Sequence, residues 1–134
     1  KAVYGDESFT RMYGDIVPAP AERVREAADG SRWTLGRREL LVRDTPGHAR
    51  HHFCLWDETS RGWFTGDTFG ISYRELDVEG RAFVFPSATP VQFDPVDMRD
   101  SVERMLELEP EAVYLTHFSR RTPPFWGSAL MRSA

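Results

Sequence analysis

The sequence predicts a mixed α/β fold, on three observations. Short β-branched or aromatic runs, broken by Gly, Asp and Ser, fill positions 31–67. A capped amphipathic helix begins at Asp94, and an apolar run, AVYL at 112–115, follows it. Strands on both sides of one helix fit an α/β arrangement, read here as a single domain over residues 1–134, a length able to bury a core without staples.

Taken in order, Phe9, Met12, Tyr13 and Ile16 have helical spacing, so a short helix is expected there. Pro18 and Pro20 break it, because each lacks an N–H and fixes φ. Four strands are expected next, in SRWTLG, ELLVRDTP, HHFCLWDE and GWFTGD, joined by tight turns near residues 29–31, 36 and 57–62. On an alternating strand His51 and His52 would point to opposite faces. Residues 70–93 mix polar, apolar and proline positions, which predicts a long loop with little regular structure. Asp94 then suits an N-cap and Pro95 the first helical position, with Met98, Val102, Met105 and Leu106 on one face. Pro110 is expected to stop this helix before the AVYL strand. The segment RRTPPFWGSALMRSA shows no period.

Composition narrows the function classes. A net charge of −4 argues against a nucleic-acid partner, which calls for a basic footprint. No apolar run approaches the ~18 residues of a membrane helix, so no membrane partner is expected. The single cysteine, Cys54, permits neither an intrachain disulfide nor a cysteine metal cluster, and fits a cytoplasmic location. Inside its strand it reads as a buried, inert thiol.

The chemistry-bearing residues sit at strand ends. His48 follows Pro46-Gly47 after the apolar run LLV, Asp67 follows Gly66 after WFT, and His117 follows AVYLT. Each alone also fits an ordinary turn residue. Together, His, Asp and His on loops of one sheet are the usual ligand types of catalytic Zn, Fe or Mn. Their wide separation in sequence suits ligands gathered from several strands and does not suit a compact zinc finger.

TPGH, FTGDT and LTH, in this order, resemble the later metal-binding motifs of the metallo-β-lactamase fold superfamily, closest in flavour to its glyoxalase II-like hydrolase branch. The resemblance spans roughly residues 30–120. It implies an αββα sandwich of which this chain supplies mainly the second half. It also implies that His48 binds a first metal, Asp67 bridges two, and His117 binds the second. Two Zn2+ ions per complete site are implied, with Fe or Mn open. His52 matches a second histidine of TPGH-type motifs and is expected in a supporting role. Thr68, Thr116 and Gln92 are candidates for orienting ligands or touching substrate, with ordinary turn roles as the alternative.

The family's upstream His-x-His-x-Asp-His motif is absent, since no histidine precedes His48. The expectation is therefore that the first half of the fold lies before Lys1 or on another chain, and that this chain alone is inactive. With the site complete, the resemblance implies a small-molecule hydrolase. A hydroxide shared by two metals would attack a thioester, lactone or related carbonyl, with Asp67 acting as ligand first. The loop FVFPSATPVQFDP is expected to border the substrate, with Phe85 and Phe93 either touching it or packing in the core. A non-heme iron oxidoreductase on the same fold, or a metal-free scaffold, are the alternative readings.

Overall fold

The structure is a computed structural model, and it describes residues 6–117 and 119–124. A helix α1 (Asp6–Tyr13) opens the described chain and a 3-10 turn (Ala21–Arg23) follows. Strands β1 (Arg32–Leu35), β2 (Arg38–Asp44), β3 (Phe53–Asp57) and β4 (Gly62–Phe64) come next. After a second 3-10 turn (Arg74–Leu76) come α2 (Pro95–Leu106), β5 (Ala112–Tyr114) and β6 (Arg120–Arg121).

The six strands form one sheet in the order β1-β2-β3-β4-β5-β6. Neighbours are antiparallel except β4 and β5, which pair in parallel with Trp63 opposite Val113. A parallel pair needs a crossover, and the long loop with α2 supplies it.

The register settles which side of the sheet α2 covers. Trp56, Trp63 and Val113 lie across from one another on β3, β4 and β5 and are all buried. They form one cluster with Cys54, Phe69, Leu115 and Met105 of α2. The Trp63 indole N–H donates to the Met105 carbonyl at 2.9 Å, so the strand also satisfies a backbone group in the last turns of the helix. Burying a side chain such as Met105 stabilises by about 1.5–3 kcal/mol.

Several expectations change. Helix α1 ends at Tyr13, leaving Ile16 outside, because Gly14 at φ +72° turns the chain and donates its N–H to the Thr10 carbonyl. Helix α2 ends at Leu106, short of Pro110. His51 and His52 precede β3 and lie in a turn closed by the His52 N–H on the Ala49 carbonyl, so strand alternation does not govern them. Strand β6 forms from Arg120 and Arg121, a pair too short to carry a period. The remainder of the unassigned segment, 125–134, lies outside the described residues.

Candidate metal centre

Three turns bring the site together. Thr45-Pro46-Gly47-His48 leaves β2, Thr65-Gly66-Asp67 leaves β4, and Leu115-Thr116-His117 leaves β5. Each turn is pinned by backbone bonds to its neighbours. The Thr65 N–H donates to the Tyr114 carbonyl at 3.1 Å, and the Thr116 N–H to the Gly66 carbonyl at 3.4 Å. Thr116 itself is exposed and touches the site through that backbone bond.

The structure places His48, Asp67 and His117 side by side. His48 Nε2 is 3.6 Å from Asp67 Oδ2, and His117 Nε2 is 3.0 Å from Asp67 Oδ1. The carboxylate thus divides its two oxygens between two imidazoles. Oδ1 is fully buried and makes no hydrogen bond, despite the short distance to His117. A buried carboxylate oxygen without a donor is costly, and a cation between the facing lone pairs removes that cost.

The orientation of His48 follows from its other nitrogen. Nδ1 lies 2.7 Å from the Ser87 carbonyl, which only accepts, so Nδ1 carries the proton and donates. In the neutral ring Nε2 is then the free lone pair, turned toward Asp67, as a metal-binding histidine held through its second nitrogen would be.

His52 is oriented the opposite way. Its Nε2 accepts the Asp67 backbone N–H at 3.0 Å, so its Nδ1–H faces the hydroxyls of Thr68 at 2.8 Å and Thr45 at 3.0 Å. Thr68 passes its own proton to the Thr45 carbonyl at 3.0 Å. Burial holds the His52 pKa below its ordinary 6.5, and the neighbouring His48 pushes the same way, so the ring is neutral. His52 spends its lone pair on the Asp67 backbone and orients the turn from behind. Gly66 makes this possible, since a Cβ there would lie 2.5 Å from His52 Nε2 and the residue has φ +50°.

Gln92 lies elsewhere, its side-chain oxygen accepting the Arg50 N–H at 3.3 Å. His51 is exposed. The Cys54 thiol is buried against Thr45 and the Thr65 carbonyl, and burial pushes its pKa up to about 12, so it is an inert thiol. Sequence reasoning missed Thr45 and Ser87. Thr45 sits beside the PGH turn and was open to notice, but Ser87 acts through a carbonyl that any residue would supply.

Among the described residues, no three His, Cys, Asp or Glu side chains gather into a group able to hold one ion. The donors form two pairs that share Asp67. This set fits a centre in which one carboxylate bridges two cations, with two protein ligands from this chain to each. Catalytic zinc takes three protein ligands, so each position is one short.

Beside the site, a cavity of about 220 Å³ opens between α2 and the 84–86 loop, lined mainly by apolar side chains including Phe69, Phe85, Phe93 and Met98. Among the described residues no helix is long and apolar enough to cross a membrane.

The class of protein is thus a mixed α/β sheet whose strand ends bring two histidines to the two oxygens of one aspartate. Residues 5–117 match the model of the Metallo-beta-lactamase superfamily, and the chain belongs to that superfamily, whose members are typically metal-dependent. It is 30% identical over 120 residues to the metallo-beta-lactamase fold-containing protein ST1585 of Sulfurisphaera tokodaii, covering 84% of this chain and 42% of that protein. The crystal structure of ST1585 from Sulfolobus tokodaii superposes with a TM-score of 0.68 at 28% identity, over 92% of this chain and 44% of that one. TTHA1623 in a di-iron-bound form superposes at 0.58 with 27% identity, over 87% of this chain and 52% of that one. This chain therefore spans less than half the length of ST1585 and about half that of TTHA1623.

Proposed function

We propose that His48, Asp67 and His117 are this chain's share of a two-metal hydrolase centre of the glyoxalase II-like kind, acting on a thioester, lactone or related small-molecule carbonyl. The observation that carries this reading is Asp67, whose two oxygens face different imidazoles while the inner one is buried without a donor. Metal ions held there, zinc by preference, would acidify a water and polarise a carbonyl.

The chain's own residues do the positioning. Asp67, with one oxygen toward each imidazole, would hold both ions and fix their spacing. Ser87 and His52 hold His48 and the Asp67 turn in place. The apolar cavity bounded by Phe85 and Phe93 suits the carbon skeleton of a substrate, since ligand sites are mostly apolar with few polar groups. Its volume exceeds the ~150 Å³ that admits a benzene-sized molecule. The further ligands such a centre needs would come from another segment of the fold, in the same or another chain, and the cytoplasm is the proposed compartment.

The di-iron form of TTHA1623 favours a second reading, an iron oxidoreductase on the same fold. The test is the metal content of the polypeptide carrying this chain, purified from its natural source, with hydrolysis and oxygen uptake measured on the same sample. About two zinc ions with thioester or lactone hydrolysis is the expected result. Iron with oxygen uptake moves the assignment to the oxidoreductase. A native product without bound metal sinks both and leaves a scaffold.

A further inference from the structure

We propose that Arg121 is a positioning residue for His117, acting through Ser72 and Asp77; this rests on the reading of His117 as a metal ligand. His117 is half exposed on the turn between β5 and β6, where side-chain packing alone does little to fix it. Its backbone is held instead. The His117 carbonyl accepts the Ser72 N–H at 3.4 Å, and Ser72 is fully buried. The Ser72 hydroxyl donates to the Phe83 carbonyl at 2.7 Å and accepts the Arg121 Nε–H at the same distance.

Both remaining nitrogens of the guanidinium grip Asp77, at 2.6 and 2.9 Å, and Asp77 also accepts the Phe83 N–H at 2.9 Å. Arg74 closes the same turn from outside, reaching Ser119 Oγ at 3.1 Å and the Arg120 carbonyl at 3.3 Å.

Arg121 is a charged side chain only 9% exposed, on a strand two residues long. Burying the guanidinium of a pair whose carboxylate stays partly exposed is a poor way to gain stability, because desolvation offsets much of the attraction. What the planar fork provides is geometry: three N–H directions fixed at once, which an ammonium cannot reproduce. Here those directions lock the 72–83 loop to the strand that follows His117. Ser72 then meets the ligand's own carbonyl.

The test uses the longest natural polypeptide carrying this chain, with Arg121→Lys and, should that variant fail to fold, Asp77→Asn. Zn2+ is titrated alone, and His48 and His117 ring resonances are followed by NMR with and without metal. Arg121→Lys should weaken the Zn2+ step that shifts His117 by about 10–100-fold, the usual cost of losing a group that orients a ligand, and leave the His48 step unchanged. Adding Arg121→Lys to His117→Ala should weaken Zn2+ binding no further. In the metal-free protein the His117 ring alone should shift, which tests the positioning even if the wild type takes up no zinc. Equal loss at both steps would mark a general structural role and overturn the proposal. So would unchanged His117 resonances in a folded variant.

Discussion

His52 and Gly66 form a tight arrangement behind the site, and their dependence is mutual. The imidazole lone pair takes the Asp67 N–H only because residue 66 has no Cβ to occupy the same space. Gly66→Ala should destabilise the protein by about 1–3 kcal/mol, from the positive φ and from displacement of the ring. Combined with His52→Ala the cost should shrink toward the backbone strain alone, as chemical denaturation of the four-member cycle would record. An unchanged midpoint in Gly66→Ala would refute the packing described. At this scale the sequence was partly legible. His48 and Asp67 stood out because a strand end and a glycine precede each of them, and His117 because it follows a strand end. His52 was recognisable as a supporting residue through its place in the motif. Ser87 and the Ser72 amide were not recognisable, because they act through backbone groups that carry no residue identity.

Helix α2 shows how an element can be read while its docking is not. Asp94 accepts the N–H groups of Val96 and Asp97 at 2.9 and 3.1 Å, the cap that an Asp-Pro pair announces. Its own N–H donates to the Gly47 carbonyl at 2.7 Å, and a Cβ on Gly47 would fall 2.3 Å from Met98 Cα. The helix start is therefore seated on the turn that carries His48, a contact between segments far apart in sequence that no local period encodes. Asp94→Ala should cost about 1 kcal/mol. Amide exchange should rise in the first turn of α2 and in residues 47–49, and stay unchanged in β5. Uniform acceleration across the sheet would show that the cap supports the whole fold and not this junction. Strand β6 escaped prediction for a related reason, since two arginines become a strand only by pairing with β5.

At the scale of the molecule, the sheet has one face under α2 and another that is mostly apolar and only partly covered, with Leu40 and Val42 buried on it and other apolar residues reaching solvent. The register puts Trp33, Leu55, Phe64 and Tyr114 on the second face, with Trp33 opposite Leu40 and Val42 opposite Leu55. Leu35, Phe53 and Phe64 there are 68%, 37% and 44% exposed. Trp33 meets Phe53 edge-on at 6.2 Å, and Phe64 stacks on Tyr114 at 4.9 Å. Antiparallel strands with one wet face alternate polar residues outward, and the antiparallel strands β1 to β4 mostly do not. Exposed apolar side chains gathered on one sheet face are a usual mark of an interaction face. The 134-residue chain alone should therefore self-associate, with sedimentation velocity showing species larger than 15.4 kDa that grow with concentration. Phe53→Asp with Phe64→Asp should shift the distribution toward monomer while near-UV circular dichroism from the buried Trp56–Trp63 pair persists, because both substitutions lie away from that core. A wild-type chain that stays monomeric and melts in one sharp transition would mean that this face tolerates water, and the expectation of a covering layer would fall with it.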